Sequence, residues 1–391
     1  MAGNTGDKVR SDCRIKLTLA EKGGIVINME SKVTVMYGEA NLQLVREIME
    51  FFGIHHATID IEDSGALPHV LAARLEVCIK KISNTRKEYL LPISRGEIVG
   101  GEPGRFRRSR LYLPGNTPAM MINAGIHQSD GIILDLEDSV AAERKDEARI
   151  LVRNALRNID FFGAERMVRI NQLPLGLEDT AILAPHGVEL ILIPKCEEDW
   201  QVHEVEKVVS STLEKTGPDQ QIFFMPIIES ALGVENAFRI ASASKNVVAM
   251  AIGLEDLCAD LGVARTAGGK ESFFARTRIV NACKAAGIQP IDSVFSDVTN
   301  MEALLENVKK SAALGFEGMG CIHPGQIRVI HQGFRPGEPE VEKALKILEA
   351  YREARKNGLG VVSLGSKMID APVVARAEQT LQLARKYRLI K

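Results

Sequence analysis

Residues 222–256 read IFFMPIIESALGVENAFRIASASKNVVAMAIGLED, and the fold can be worked out from this stretch. Two apolar runs of strand length are each followed by acidic residues. Glu229 follows the first run, Glu255 and Asp256 follow the second, and an amphipathic helical pattern lies between the runs. The order predicts a β-α-β unit whose two strands end at one edge of a parallel sheet. Because Mg²⁺ prefers carboxylate oxygens, Glu229 and Asp256 predict a magnesium site in an enzyme.

The same alternation of strand and helix patterns extends on both sides of this unit. The strand patterns are Arg110–Leu113, Gly131–Leu136, Arg166–Ile170, Glu189–Ile193, Ile222–Ile227, Val247–Ile252, Ile291–Phe295 and Gly318–Cys321. The helical patterns between them are Ser139–Asn158, Trp200–Lys215, Val234–Ala243, Phe273–Ala286 and Met301–Leu314. Eight alternating units favour an α/β fold of the (β/α)₈ TIM barrel type. A doubly wound open sheet is the alternative, but no GxGxxG follows the first strand.

Further segments flank the predicted barrel, which covers residues 108–335. Residues 1–90 predict a small α+β domain with strands at Arg14–Leu19, Gly24–Met29, Lys32–Met36 and Ala57–Ile61 and helices at Glu39–Phe52 and Leu67–Ile82. Residues 91–107 contain glycine, proline and arginine without periodicity, which is typical of a linker. Residues 336–391 contain two further helical patterns, Val341–Lys356 and Pro372–Tyr387, and predict a C-terminal helical lid.

The composition excludes several classes of protein. A net charge of −2 over 391 residues gives no electrostatic case for binding nucleic acid or an acidic membrane. No apolar run reaches transmembrane length, and the polar start MAGNTGDKVRSDC is not a secretory signal, so a cytoplasmic location is expected. The six cysteines are scattered without a CxxC pair, which predicts reduced buried thiols rather than disulfides or a zinc site.

Charged residues follow the predicted barrel strands at the ends where this fold carries its functional groups. Arg169 ends the third strand and suits an oxyanion, either a substrate carboxylate or an enolate oxygen. A salt bridge from Arg169 to Asp135 or Glu137 is the alternative. Asp138 follows the second strand, where an aspartate is equally suited to capping a helix.

Two more pairs of residues near strand ends are candidates for contacts with a substrate. Lys145 and Arg149 lie one turn apart on the helix after the second strand, where they suit a phosphate or carboxylate or simply face solvent. His323 and Pro324 follow the eighth strand, where His323 is suited to a capping or supporting role.

Eight blocks of sequence then occur in an order that matches a known family. They are RSRLYLPGN, LDLEDSVAAERKDEAR, VRIN, MPIIES, GLEDLCADLG, AAGIQPIDSVFSD, CIHPGQI and KMIDAPVVARA. Over residues 108–390 the chain resembles the citrate lyase β-subunit family of Mg²⁺-dependent acyl-thioester lyases, which includes malyl-CoA and citramalyl-CoA lyases. The resemblance implies a (β/α)₈ barrel with Mg²⁺ on Glu229 and Asp256.

The same resemblance implies roles for other residues. Arg169 would polarise the thioester carbonyl and stabilise its enolate. Asp370, in KMIDAP, would be a general acid/base on a C-terminal lid that closes over the neighbouring subunit's site, which implies a homo-oligomer. The remaining candidate contacts to substrate or CoA are Asp138, Lys145, His323 and Pro324.

Three blocks of the first domain, RSDCRIKL, MYGEA and IEDSGALPHVLAARLE, resemble the citrate lyase acyl carrier protein, the γ subunit. That carrier bears a phosphoribosyl-dephospho-CoA group on a serine in a Ser-(Ser/Gly)-Asp motif. This chain has Arg10-Ser11-Asp12, so Arg10 occupies the usual serine position and Ser11 is the nearest hydroxyl. Ser11 is the candidate attachment site, with the start of the first strand as its alternative role. The linker would let such an arm swing.

The leading functional hypothesis is a retro-Claisen lyase that splits a citryl thioester into an acetyl thioester and oxaloacetate. Its partners would include the citrate lyase α subunit, an acyl transferase. A lyase that uses free malyl-CoA or citramalyl-CoA, with a vestigial carrier domain, is the alternative within enzymes. A non-catalytic scaffold that docks an α subunit is the alternative outside them.

Overall fold

The amino-terminal domain is a three-stranded sheet packed against two helices, in a computed structural model that describes residues 1–94, 101–216, 220–356, 362–364 and 367–390. Its elements are β1 (Cys13–Leu19), β2 (Ile25–Ser31), α1 (Thr34–Phe51), β3 (Ala57–Asp63) and α2 (Pro68–Ile82). The central strand β3 pairs antiparallel with β1 and parallel with β2. The α+β class predicted for this domain is confirmed.

The strand predicted at Lys32–Met36 is wrong, because the chain turns there and α1 begins at Thr34. The Ser31 hydroxyl accepts a hydrogen bond from the Val33 N–H at 3.1 Å, which closes the turn at the end of β2. The alternating residues of this stretch suit a strand equally well when they are considered without the turn.

The predicted (β/α)₈ barrel is confirmed, because eight parallel strands close on themselves. The strands are β4 (Ser109–Pro114), β5 (Gly131–Asp135), β6 (Glu165–Arg169), β7 (Leu190–Ile193), β8 (Phe223–Ile228), β9 (Ala249–Ile252), β10 (Gln289–Asp292) and β11 (Gly318–Cys321). They follow chain order around the barrel, and β11 pairs with β4 to close it. All eight match predicted strands, although β10 begins two residues before its predicted start at Ile291.

Helices connect the strands and cover the outside of the barrel. They are α3 (Pro118–Met121), α4 (Lys145–Asn158), α5 (Leu175–Leu183), α6 (Asp199–Thr216), α7 (Ala231–Glu235), α8 (Ala237–Ala241), α9 (Leu254–Asp260), α10 (Phe273–Ala286), α11 (Met301–Leu314) and α12 (Gly325–Phe334). Alternate strand residues face inward and form a separate apolar core of Ile133, Met167, Leu190, Leu192, Phe223, Met225, Ile227, Val248, Ala249, Ala251 and Ile291. Because the eight strands are parallel, their carboxyl ends lie on one side of the barrel, which we call the mouth. The interior below the mouth is filled by side chains.

Helix α2 is buried along most of its length because it lies between its own sheet and α4 of the barrel. Glu76 of α2 pairs with Arg153 of α4 at 2.8 Å, and neither side chain is exposed. Arg74 of α2 binds Asp12 at 2.9 Å and also approaches Glu147 of α4 at 3.4 Å. Buried ion pairs thus attach the amino-terminal domain to the barrel.

Both described ends of the predicted linker pack on the barrel. The carbonyl oxygens of Leu91 and Pro92 accept hydrogen bonds from Arg157 and Asn158 of α4, both at 2.9 Å. Further along, the Gly101 N–H donates to the barrel's Gln221 carbonyl at 2.9 Å. Residues 95–100 lie outside the described part of the chain. The predicted domain boundaries and the swing of the arm stay predictions.

The C-terminal segment forms α13 (Glu338–Lys356), β12 (Val362–Leu364), β13 (Lys367–Ile369) and α14 (Ala371–Lys386). The two helices pack on each other around an apolar cluster of their own. Tyr387 stacks on Phe106 with ring centroids 5.0 Å apart, and Lys386 donates to the Gly104 carbonyl at 2.9 Å. Since Gly104 and Phe106 precede β4, the end of α14 rests at the amino end of the barrel strands, opposite the mouth.

Two observations bear on the cysteines and on membranes. All six cysteines are buried and none is in a disulfide. Within the described ranges, no helix has the length and apolar character needed to cross a membrane.

Candidate active site

A cavity of about 790 Å³ opens at the carboxyl ends of the barrel strands. Most of the predicted site residues line it, namely Asp138, Arg169, Glu229, Asp256, His323 and Pro324. Strand-end residues of a barrel share one side of the fold, so candidates from different strands lie around one cavity, and their roles stay predictions.

Glu229 follows β8 and is almost fully buried at the mouth, with 7% of its surface exposed. Its Oε2 accepts a hydrogen bond from the Lys195 N–H at 2.8 Å. A Cβ on Gly253 would lie 2.6 Å from Glu229 Oε1, so only glycine leaves room for the carboxylate there. Burial raises the pKa of Glu229 to about 7, and the nearby Glu137 and Asp256 add to this effect.

Asp256 lies in the first turn of α9, directly after β9. Its Oδ1 accepts a hydrogen bond from Lys195 Nζ at 2.7 Å. Lys195 follows β7 with a positive φ of 46°, and it contacts both Glu229 and Asp256. Lys195 was not among the residues predicted for the site, because nothing in its local sequence indicates contacts with residues that follow two other strands.

The residues at the mouth fit a divalent cation. Glu229 and Asp256 line the same cavity, and burial raises the pKa of the Glu229 carboxyl, with the negative charges of Glu137 and Asp256 acting in the same direction. Within the described ranges, no group of three or more His, Cys, Asp or Glu residues has the arrangement of a metal site. Two protein carboxylates with water and substrate oxygens are how Mg²⁺ is commonly held.

Arg169, at the end of β6, is surrounded by acids. Its Nε and Nη2 donate to both oxygens of Asp135 at 2.7 Å each, and its Nη1 lies 2.7 Å from Glu137 and 3.2 Å from Asp138. The salt bridge that was the alternative for Arg169 is therefore present. Although burial opposes it, this ring of carboxylates raises the pKa of the guanidinium, which remains charged and lines the cavity.

Tyr112 is a residue of the mouth that sequence reasoning missed. Its ring lies 5.3 Å from the Arg169 guanidinium, on the inner face of β4. Burial raises the pKa of its phenol, so the ring is neutral and contributes a hydroxyl and an aromatic face to the cavity. Strand alternation places it inward, but a tyrosine inside a barrel is as readily a core residue.

Lys145 and Arg149 of α4 support the site from outside the cavity. Lys145 Nζ donates to the carbonyl oxygens of Leu136 at 2.7 Å and Glu137 at 2.5 Å, and burial lowers the pKa of this amine. Arg149 binds Asp179 at 2.6 Å. Neither residue is among those that line the cavity, so both hold the loop after β5 and its surroundings in place.

His323 and Pro324 form the edge of the mouth after β11. His323 Nδ1 accepts the Gly325 N–H at 3.1 Å, a local contact at the start of α12. The capping role expected for His323 is what the structure shows, and the side chain still faces the cavity.

Asp370 lies apart from the other candidate site residues of the same chain. Its Oδ1 caps α14 by accepting the Val373 N–H at 3.2 Å, and it is not among the residues that line the cavity. The other end of α14 rests opposite the mouth. Within one copy of the chain, Asp370 is therefore separate from Glu229 and Asp256.

Ser11 lies in the segment that precedes β1 of the amino-terminal domain. It has a positive φ of 56°, and its N–H donates to the Ser64 carbonyl at 3.0 Å. The neighbouring Asp12 is buried and binds Arg74 through both carboxylate oxygens at 2.9 Å. Arg74 also donates to the Asn116 carbonyl, in the loop after β4, at 3.2 Å, so the Ser11 segment lies on the mouth side of the barrel.

Comparisons with known proteins agree with this arrangement. The family model described as HpcH/HpaI aldolase/citrate lyase matches residues 108–324. This chain belongs to that family. The model described as malonate decarboxylase delta subunit, an ACP model, matches residues 2–82, so the first domain is carrier-like as expected.

Curated relatives in this family include two citrate lyase subunits beta. The one from Haemophilus influenzae is 39% identical over 284 residues, covering 72% of this chain and 98% of its own length. The one from Leuconostoc mesenteroides subsp. cremoris is 37% identical over 289 residues, covering 73% and 96%.

A solved structure of the same family carries ligands at its site. Protein CitE from Mycobacterium tuberculosis, in complex with magnesium, acetoacetate and coenzyme A, superposes with a TM-score of 0.62 at 30% identity. The match covers 73% of this chain and all of that one.

Proposed function

We propose that this chain is a Mg²⁺-dependent carbon–carbon lyase that cleaves a citryl thioester into an acetyl thioester and oxaloacetate. The observation that carries the proposal is the pair Glu229 and Asp256, bridged by Lys195 and facing one cavity with Arg169. Membership of the citrate lyase family and the citrate lyase β subunits among its relatives support the same reaction.

Glu229 and Asp256 would hold Mg²⁺ at the mouth. The ion would stabilise charge on the carboxylate and hydroxyl oxygens of the half that becomes oxaloacetate. Lys195 contacts both carboxylates, since its N–H donates to Glu229 and its Nζ donates to Asp256. The magnesium in the Mycobacterium tuberculosis relative supports this assignment.

Arg169 would stabilise the enolate of the acetyl thioester. A guanidinium has five N–H donors. Three of them donate to Asp135 and Asp138, and Nη1 also lies 2.7 Å from the Glu137 carboxylate as an ion pair. The acids hold the guanidinium rigidly, so its other N–H donors and its charge would be aligned before substrate arrives.

The reaction requires two proton transfers around the broken C–C bond. A base at the mouth would remove the hydroxyl proton as the bond breaks, which leaves oxaloacetate and the thioester enolate. Asp370 would then return a proton to the enolate carbon. Because Asp370 is separate from its own mouth, we infer that it acts on the mouth of a second copy in a homo-oligomer.

The thioester has two possible carriers, and the first is the amino-terminal domain. A phosphoribosyl-dephospho-CoA arm on Ser11 would start on the mouth side of the barrel, and a citrate lyase α subunit would load it. Tethering of this kind replaces diffusion with an effective concentration of about millimolar order. The ACP match of residues 2–82 supports this version.

Free CoA thioesters, such as those of malate or citramalate, are the second possibility. Arg10 at the usual serine position and the use of Asp12 to bind Arg74 favour it, as does coenzyme A in the Mycobacterium tuberculosis relative. Intact mass of protein purified from its native source separates the two. An adduct on Ser11 supports the tethered carrier, and unmodified Ser11 supports free CoA.

The lyase assignment is tested with purified chain, Mg²⁺ and citryl-CoA. Oxaloacetate should appear and should be detected by NADH oxidation through malate dehydrogenase. The control is the same mixture with EDTA, which should form no oxaloacetate. A wild-type preparation that binds Mg²⁺ and forms no oxaloacetate contradicts the proposal and favours a scaffold.

A further inference from the structure

Arg110 is a buried arginine that has no acidic partner among the described residues. It lies on the inner face of β4, with 1% of its surface exposed. Its Nη1 contacts the Met225 sulfur at 2.9 Å, and its Nε is buried without a hydrogen-bond partner. Met225 belongs to the apolar core inside the barrel.

The other fully buried arginines in the described part of the chain are all paired. Arg74 binds Asp12 at 2.9 Å, Arg107 binds Glu165 at 2.7 Å, and Arg153 binds Glu76 at 2.8 Å. A buried charge without a counter-ion destabilises a fold strongly, so such charges are normally paired. Arg110 departs from a rule that the rest of this chain follows.

A molecule bound in the cavity at the mouth would supply an acidic partner for Arg110. Arg110 lines the same cavity as Glu229 and Asp256. Inward-facing residues alternate along β4, so Arg110 lies one layer below Tyr112, whose ring meets Arg169. The guanidinium is therefore at the floor of the space that a substrate would occupy.

Two other cations near the proposed metal ligands, Arg169 and Lys195, are already engaged, and of these two Arg169 lines the cavity. Arg169 binds three acids, and Lys195 Nζ binds Asp256. A citryl group and its product oxaloacetate carry more than one carboxylate, and a metal at Glu229 and Asp256 would take only one of them. A second carboxylate entering the barrel needs a cation of its own, and among the described arginines and lysines that line the cavity, Arg110 is the one without an acidic partner.

We propose that Arg110 is the receptor for the second carboxylate of the acyl group and so selects dicarboxylate over monocarboxylate substrates. The proposal rests on the lyase function above. A guanidinium and a carboxylate form paired N–H to oxygen bonds, which are strong where water is excluded. The apolar surroundings then favour binding, because Arg110 gains its counter-ion only when the acid is present.

The test compares oxaloacetate with pyruvate, which lacks the second carboxylate. Affinities of freshly dissolved acids are measured by calorimetry with Mg²⁺ present, on wild type and on Arg110→Met, an uncharged side chain of similar length. Wild type should bind oxaloacetate more tightly than pyruvate. Arg110→Met should weaken oxaloacetate binding about ten-fold or more and leave pyruvate nearly unchanged.

Two controls separate a lost contact from a damaged fold. Arg110→Met should unfold at the same temperature as wild type or higher, since it removes an unpaired buried charge. Arg110→Lys keeps the charge and should retain part of the preference for oxaloacetate. Mg²⁺ affinity without any acid should be the same in all three proteins.

Equal oxaloacetate affinity in wild type and Arg110→Met overturns the proposal. An equal loss for pyruvate also overturns it, because the effect would then not depend on the second carboxylate. Wild-type protein that binds oxaloacetate and pyruvate with equal affinity also overturns the proposal. The lyase assignment fails by a different result, the absence of oxaloacetate formation from citryl-CoA by wild type.

Discussion

Lys195 contacts both proposed metal ligands, one through its backbone N–H and the other through its side-chain ammonium. Its N–H holds Glu229, and its Nζ lies 2.7 Å from Asp256 Oδ1. The two acids could be predicted from the sequence because each follows an apolar strand. Lys195 could not be, since its importance depends on a backbone φ of 46° and on a partner sixty-one residues away.

Removal of the Lys195 ammonium should strengthen Mg²⁺ binding. Two like charges a few ångströms apart repel by about 1 kcal/mol or more, so Lys195→Met should bind Mg²⁺ about ten-fold more tightly in calorimetry. Lys207→Met is the matched control, because that exposed lysine on α6 has only a weak pair with Glu204 at 3.9 Å. Weaker binding in Lys195→Met would mean that the ammonium mainly orients Asp256.

His69 should make the stability of the protein sensitive to acid. It is buried at the start of α2, and burial lowers its pKa from 6.5 to about 4. The unfolded chain therefore takes up a proton first as pH falls. The free energy of unfolding is therefore unaffected by His69 titration above pH 6.5. It falls as pH drops from 6.5 to 4, by up to about 3 kcal/mol in total.

Urea unfolding at several pH values checks this expectation. His69→Gln should flatten the loss of unfolding free energy between pH 6.5 and 4, whatever its effect at neutral pH. His55→Gln, at an exposed position, should retain the wild-type slope. The account of His69 is wrong if the two variants have the same slope.

Helices α2 and α4 show which elements the sequence predicts and what it leaves out. Both were predicted as helices from their apolar periodicity, and both are present. Their packing on each other was not predicted, because Arg74, Glu76 and Arg153 have the character of solvent-facing residues when each helix is considered alone. Their partners lie up to 77 residues away.

The Arg153–Glu76 pair should be important for stability. Arg153→Met leaves the Glu76 carboxylate buried with less compensation, so urea unfolding should show a loss of about 3–5 kcal/mol. Arg239→Met is the control, since its pair with Asp199 is exposed and such pairs contribute about 1 kcal/mol or less. Adding Glu76→Leu to Arg153→Met should restore part of the stability. Equal losses in the two arginine variants would show that the pair does not anchor the domain.

At the scale of the molecule, the order of strands and helices was predictable, and the separation of the C-terminal segment from the mouth was not. Eight alternating patterns define a barrel and its mouth whatever the details of packing. The position of Asp370 depends on where α14 rests, and that depends on a few contacts such as Tyr387 on Phe106. Such contacts leave no periodic pattern in a sequence.

Sharing of sites between copies can be tested by mixing two inactive variants. Asp256→Asn lacks a metal ligand, and Asp370→Asn lacks the proposed acid. If Asp370 acts on a second copy, mixed oligomers contain some mouths with both intact residues and should regain partial lyase activity. Native mass spectrometry would verify that subunits exchange. Verified mixed oligomers without activity would contradict an action in trans.

The most direct test of the central claim is the rate of oxaloacetate formation from citryl-CoA as Mg²⁺ is increased. Wild type should show a rate that is zero without Mg²⁺ and saturates as the site on Glu229 and Asp256 fills. Asp256→Asn should stay at least about a hundred-fold slower at every Mg²⁺ concentration, because the metal supplies several kcal/mol of charge stabilisation. A wild-type rate in Asp256→Asn at saturating Mg²⁺ would contradict the account.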